Sequence, residues 1–533
     1  QLVDDIERYL NHLPVTARPD SITYRTNKFI QRHKTGVALS LVSILLGIGF
    51  IVTLLHQNSR INTERAIAIT ERDKALEVSA FLEELFAASD PAFGTTRADT
   101  LRVKDFLVHG ADFVRRDLEL QPAVQAQMLD VLGNVHMELG LLDESKPLLE
   151  EAFNIRASLF TGDHPDIAES MNSLGEWLHH SGELEKAEEN LTESLEMRLR
   201  LFGENHQDVG KSYTTLANLT NTKGDYARAE ELYRLAVDVF TNLHGQYHRK
   251  TGAATANLAT ILQRQGKIDQ AELMHLQALD IYDQVLDSKH PLIATSSNNL
   301  SQLLTEQGNF VDAERHARRA LSIRQSLYGE EHPETLSSLN NVASILAEIG
   351  NMDEAKEMYL KSLELRKQVH GETSMAVAVA LNNLASLYKR TDEHSDAELF
   401  YKEAISIAQE VLGSEHPSVG IIGANLGASL RLLGKREEAE TYYQSSLTIL
   451  QSTLPADHPS LARTKIGYGY ILADRENFDE AEQLIKEGYE TLKEKGSSLT
   501  VAYEAFIHLY ELTGNTGEQQ RYESLLAVAK SDQ

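Results

Sequence analysis

The chain has 533 residues and a formal charge of −28, which argues against a nucleic-acid partner, since neutralising phosphates needs clustered Lys and Arg. It has no cysteine, so it forms no disulfide and carries no thiolate chemistry. Its length exceeds one globular core but not an elongated repeat, which grows without that limit.

The chain opens with Gln rather than Met, so it reads as the C-terminal part of a longer product. Residues 1–34 read as the end of one helix, a Pro-containing linker and a basic amphipathic segment. Residues 35–55, TGVALSLVSILLGIGFIVTLL, hold no charge and at about 1.5 Å per residue are long enough to span a bilayer core of roughly 30 Å. A transmembrane helix is expected there. Arg25, Lys28, Arg32 and Lys34 precede it and only Arg60 and Arg65 follow closely, which predicts a cytoplasmic N-terminal flank. Ser43 and Gly47 form a small-xxx-small pair of the kind found at helix-dimer faces, which leaves a homodimer open. Residues 56–87, with Glu64, Arg65, Glu71, Arg72, Lys74 and Glu77, read as a solvated helical stalk in preference to a coiled coil, because no heptad is sustained. Asp90-Pro91 and Gly94 break it, and Thr100–Leu120 reads as a capping helix, so that residues 56–121 are stalk and N-terminal cap.

From residue 122 a 42-residue period takes over. His-Pro pairs stand at His164, His290, His332, His416 and His458, lone His at 206 and 248, and Ser374 fills the slot without one. Within the unit from His332 to Gly371, Pro333 suits a first helical turn, and Leu336, Leu339, Val342, Ala343, Ile345 and Leu346 form one apolar helical face. Gly350 ends that helix, and a second starts near Asp353 with Ala355, Tyr359, Leu360, Leu363 and Leu365 turned inward. Small residues recur at both helices: Gly133, Gly175, Ala217, Ala259, Ser301, Ala343, Ala385, Gly427 and Gly469 in the first, and Ala187, Ala229, Ala271, Ala313, Ala355, Ala397, Ala439 and Ala481 in the second. Such bare spots allow close helix approach. One hairpin has too little apolar surface to fold alone, so nine stacked units are expected over 122–490, then a degenerate tenth and capping helices over 491–533.

Leu216-Ala217, Gly224, Ala229, Tyr233 and Ala236 resemble the tetratricopeptide repeat, and the 42-residue spacing with its Asn-Asn-Leu-Ala string is similar to the kinesin-light-chain type. The resemblance implies an all-α superhelical solenoid that binds proteins or peptides. At the N-terminus, Asp5-Ile6, Arg8-Tyr9-Leu10, Pro14-Val15, Ala17-Arg18-Pro19, Tyr24-Arg25, Lys28-Phe29 and Arg32-His33 resemble the segment between kinase domain and membrane helix in bacterial Hanks-type serine/threonine kinases with C-terminal tetratricopeptide repeats. That likeness implies a kinase domain upstream of residue 1, and with it ATP and Mg²⁺.

No cofactor is expected in this chain. It has no Gly-rich phosphate loop, no His-Arg-Asp string and no Asp-Phe-Gly, so no catalytic residue is assigned. The boundary histidines are each displaced by a hairpin and cannot converge on one metal; a helix-start role suits them better. The polar residues that recur are Asn257, Asn299, Asn341, Asn383 and Asn425, with Asn298, Asn340 and Asn382 beside three of them. The resemblance places this column on the concave groove, where amides can bind the backbone of an extended peptide or tie neighbouring repeats together. Gln302, Ser344, Ser386, Lys389 and Arg431 are further groove positions. The Lys/Asn pattern with which some relatives hold a C-terminal carboxylate is missing, since Thr214, Ala256 and Asn298 stand where Lys would be expected.

The expected function is therefore the sensing or scaffolding half of a single-pass kinase in the inner (cytoplasmic) membrane, its repeats outside the cytoplasm, or alternatively a membrane-tethered scaffold with no enzymatic half.

Overall fold

A computed structural model describes residues 2–11, 13–15, 21–32 and 103–531. The expected membrane span at 35–55 and the stalk at 56–87 lie outside them, as does the start of the cap segment. Among the described residues no helix is long and apolar enough to cross a membrane. The chain divides into two compact units, Gln1–Trp177 and Leu178–Gln533.

In the first unit α1 (Leu2–Leu10) and α2 (Ile22–Arg32) meet where the Lys28 ammonium lies 4.3 Å from the centre of the Tyr9 ring. The cap helix α3 (Val103–Asp117) packs on α4 (Pro122–Glu138), which forms a hairpin with α5 (Leu142–Leu159). Val114, Met128, Leu129, Leu132, Leu148 and Ala152 are buried between them, each large side chain contributing roughly 1.5–3 kcal/mol. Gly133 is required by the approach: a Cβ there would fall 2.5 Å from Leu149 Cδ2. Asp130 is buried against Arg156, whose Nη1 donates to it at 3.2 Å and to Ser170 Oγ at 2.6 Å. Burial outweighs the guanidinium and raises the Asp130 carboxyl above its usual range. Ser170 belongs to α6 (Pro165–His180), on which the boundary between the units falls.

The second unit is a stack of helical hairpins. After α7 (Leu184–Phe202) come the pairs α8 (Gln207–Thr222) and α9 (Tyr226–His244), α10 (Arg249–Arg264) and α11 (Ile268–Val285), and α12 (Pro291–Glu306) and α13 (Phe310–Tyr328). They continue with α14 (Pro333–Ile349) and α15 (Met352–His370), α16 (Met375–Arg390) and α17 (His394–Leu412), and α18 (Pro417–Leu432) and α19 (Arg436–Thr453). The last are α20 (Pro459–Asp474) with α21 (Phe478–Glu494) and the shorter α22 (Thr500–Thr513) with α23 (Thr516–Ser531).

The repeat punctuation has a physical basis. Each boundary histidine turns Nδ1 back to accept the backbone N–H two residues on, as His332 does from Glu334 and His290 from Leu292, both at 3.2 Å. His206, His248, His416 and His458 do the same, and in the first unit so does His164. Ser374 supplies its hydroxyl instead, accepting from Val377 N–H at 3.4 Å. These side chains satisfy one of the orphan donors of a helix start. Inside each hairpin one residue takes the left-handed conformation: Gly224, Gly266, Gly308, Gly350 and Gly434 do so at no steric cost, whereas Asp392 (φ 59°) and Glu476 (φ 63°) occupy the same slot without being glycine.

Leu336, Leu339, Val342, Ala343, Ile345 and Leu346 are buried as their spacing predicts. Leu360 is not. It is 41% exposed, because the buried stripe of α15 runs through Ala355, Tyr359, Ser362 and Leu363 and turns Leu360 to solvent.

Candidate binding groove

First helices crowd together along one side of the second unit. Helix α10 touches α12, α16 touches α18, and α18 touches α20, a closeness that consecutive second helices do not match among the described residues. A stack shorter on one side curves toward it, so the first helices line the inner wall.

The asparagines stand on that wall, half-buried. Asn341 Nδ2 donates to Asn298 Oδ1 at 2.8 Å, Asn383 to Asn340 at 2.9 Å and Asn425 to Asn382 at 3.0 Å. Asn382 Nδ2 also donates to Asn383 Oδ1 at 3.2 Å. The second Asn of each hairpin thus bonds the first Asn of the hairpin before it, which explains the doublets. Asn299 has no such acceptor because Ala256 stands 43 residues before it, and the residue 43 before Asn257 is Thr214. An amide offers two donor hydrogens and two acceptor lone pairs. The ladder uses one hydrogen of Asn341, Asn383 and Asn425, which leaves each amide further hydrogen-bonding capacity.

Tyrosines from the second helices reach the same wall through the stack. Tyr233 donates its hydroxyl to Asn218 Oδ1, and Tyr401 shares a 2.8 Å hydrogen bond with Ser386. Tyr359 has Ser344 at the equivalent position, 15 residues before it. Gln302 lies exposed beside them.

At the C-terminal end the pattern changes. The position of Asn425 in the next hairpin is Gly467, and the asparagine column stops. Tyr443 finds Ala428 where a polar partner stood for its counterparts, and burial pushes its hydroxyl up to about 12, against the lowering charge of Arg431. A Cβ on Gly467 would fall 2.6 Å from the Tyr443 hydroxyl, so the glycine is what admits that ring. The result is a cleft of about 600 Å³ lined by Lys389, Arg431, Arg463, Tyr443, Tyr470 and Glu504. The Arg431 guanidinium lies 4.2 Å from the Tyr470 ring centre, and Tyr470 stacks on His508 at 3.9 Å. His508 in turn contacts Asp474 at 2.8 Å, which is paired with Arg436. Burial, followed by the charges of Arg431 and Arg390, holds the Lys389 ammonium below its ordinary range.

Lys389 and Arg431 were legible in the sequence as groove positions; Arg463, Tyr443 and Tyr470 were not. The available signal was a break in the columns, since Ile421 and Ala428 precede Arg463 and Tyr470 by one repeat.

The tetratricopeptide-repeat profile matches residues 124–200, 172–242, 208–284, 250–326, 292–359, 334–410 and 421–494, which together cover more than half of the chain. No curated protein matches it. Among solved structures, the chain is similar to the apo form of the quorum sensor NprR from B. thuringiensis, at TM-score 0.50 and 14% identity over 70% of this chain and 99% of that one. It is also similar to BtubC (BKLC) from P. vanneervenii, at TM-score 0.36 and 23% identity over 43% of this chain and 89% of that one. A Podosopora anserina putative kinesin light chain matches at TM-score 0.36 and 21% identity, over 39% of this chain and 98% of that one.

Proposed function

The chain belongs to the tetratricopeptide-repeat family, and from that premise we propose that its first-helix groove binds an extended segment of a partner protein. The observation that carries this reading is the line of half-buried amides from Asn298 to Asn425, which retain hydrogen-bonding capacity beyond their own ladder. An extended backbone presents N–H and C=O groups at regular spacing, and amides match both. Gln302 and Lys389 are the side-chain contacts in this reading, and Asn257 and Asn299 extend the row. A photocrosslinking residue at Gln302 is expected to trap a partner that the same residue at exposed Leu399, on a second helix, does not. Equal trapping at both positions overturns the groove assignment.

The wider setting in this reading is a single-pass membrane kinase, with the kinase domain upstream, residues 35–55 crossing the inner membrane and the repeats outside the cytoplasm. Its support is the uncharged stretch at 35–55 and the likeness of residues 1–34 to kinase linkers. The coding sequence upstream of Gln1 tests it: without a kinase domain there, the chain is a membrane-tethered scaffold. A reporter enzyme fused after Gln533 and active only in the cytoplasm overturns the orientation.

A further inference from the structure

We propose that the cleft around Lys389, Arg431 and Arg463 is a subsite for an acidic side chain within the bound segment, so that the groove selects partners carrying Asp or Glu. The proposal rests on the peptide-groove reading and gives it a chemical specificity.

Three cations meet here in a chain that carries a formal charge of −28. Among the described residues none of the three is in an ion pair. One carboxylate, Glu504, also lines the cleft and is engaged with Lys530 at 3.5 Å, while Asp474 is held by His508 and Arg436. Lys402 and Lys435, by contrast, are both paired with Glu398. An enclosed ammonium without a counter-ion is costly to keep. A carboxylate entering the cleft would remove that cost and gain charge-assisted hydrogen bonds.

The repeat grid singles out the place. Lys389 and Arg431 occupy one register position on successive hairpins, and that position is Asn221, Gln263, Thr305 and Ala347 in the four hairpins before them and Ala473 in the one after. Arg463 likewise replaces Val379 and Ile421. Lys389 shares its hairpin with Asn383, and Arg431 with Asn425. The cations therefore stand beside the last amides of the row, and the carboxylate proposed for them is a side chain of the segment, as distinct from its chain end. The Tyr470 ring packs against the Arg431 guanidinium, so its fork is partly preorganised.

The test uses the full chain in a mild neutral detergent and fluorescent dodecapeptide pools, acetylated and amidated. All positions are degenerate over uncharged residues except a central pair fixed as Asp-Glu, as Asn-Gln or as phosphoserine-Ser. A fourth pool carries Asn-Gln and a free C-terminal carboxylate. The Asp-Glu pool is expected to bind about tenfold more tightly than the Asn-Gln pool, with the difference abolished in Lys389→Met and Arg431→Gln. Equal binding by those two pools, or a preference for the free terminus or for phosphoserine, overturns the acidic subsite while leaving the peptide groove standing. No binding by any pool overturns both. Lys389→Met without peptide is expected to raise the melting temperature by about 1–3 °C, because it removes an uncompensated charge at similar volume. A fall would mark a structural lysine and overturn the proposal.

Discussion

The side-chain amide of Asn383 donates to Oδ1 of Asn340 at 2.9 Å, joining two first helices 43 residues apart in sequence. Both groups are half-buried, so losing one leaves the other partly unsatisfied. Asn383→Ala is expected to cost about 1 kcal/mol, and a double-mutant cycle with Asn340→Ala to show coupling of about 0.5–1 kcal/mol. Asn299→Ala, whose neighbour 43 residues back is Ala256, is expected to cost less. Urea midpoints decide it: equal losses for Asn299 and Asn383 would mean that the ladder contributes nothing.

The turn slot inside each hairpin carries a second prediction. Seven hairpin turns of the second unit place Gly there, including Gly182 and Gly514, and Glu476 holds the same left-handed backbone at φ 63°. A side chain in that region costs roughly 1–2 kcal/mol against glycine, offset in part by the entropy that glycine loses on folding. Glu476→Gly is therefore expected to stabilise the chain by about 0.5–1 kcal/mol. Asp392→Gly should gain less, since a short polar side chain tolerates this conformation better. A lowered thermal midpoint for Glu476→Gly would contradict the assignment.

The fold was legible because its signals recur at 42 residues: His or Pro opens first helices, Gly turns the chain, and Ala or Gly marks each close approach. The asparagine ladder was only half legible. Columns drawn at 42 place Asn383 beside Asn341, but the bond runs to Asn340, because successive first helices meet with a one-residue offset that only packing reveals. Leu360 was misplaced for a related reason, since a leucine at the edge of an apolar stripe can face either way. Arg463, Tyr443 and Tyr470 break the repeat, and a reading built on recurrence passes over what occurs once. The apolar stretch 35–55 lies outside the described residues, and its reading still rests on its composition.

Acid should loosen the stack. His275 is fully buried with both ring nitrogens unpartnered, and burial lowers its pKa to about 4. Its unfolded value is about 6.5, so the neutral ring favours the folded state above that pH. The stabilisation is lost as pH falls from about 6.5 to about 4, by roughly 3 kcal/mol in all. His248, also lowered, first by burial and then by His244, acts in the same direction. Protonation of any capping Nδ1 also removes its acceptor role. Urea midpoints measured from pH 7 to 4.5 are expected to fall, and His275→Leu to flatten that slope. An unchanged slope would place the acid sensitivity elsewhere.

Arginines of the second helices give the last prediction, because buried Arg324 and half-buried Arg366 stand at equivalent positions and differ in what they meet. Arg324 Nη1 donates to Ser338 Oγ at 2.7 Å, and its Nη2 pairs with Glu334 at 2.7 Å. Arg198 makes the same bond to Ser212, 14 residues ahead. At Arg366 the residue 14 ahead is Ala380; the side chain instead donates from Nε to Ser362 at 3.3 Å, and burial lowers the guanidinium pKa. A satisfied buried charge is costly to disrupt, whereas replacing a poorly satisfied one with an apolar side chain of similar size removes a penalty. Arg324→Met is expected to destabilise by about 1–3 kcal/mol by stranding Ser338 and losing the Glu334 pair. Arg366→Met is expected to be neutral or stabilising, and Ala380→Ser to stabilise the wild-type arginine while doing nothing for the Met variant. Chemical denaturation of the four chains gives the comparison, and equal losses for Arg324→Met and Arg366→Met would show that the missing serine has no energetic consequence.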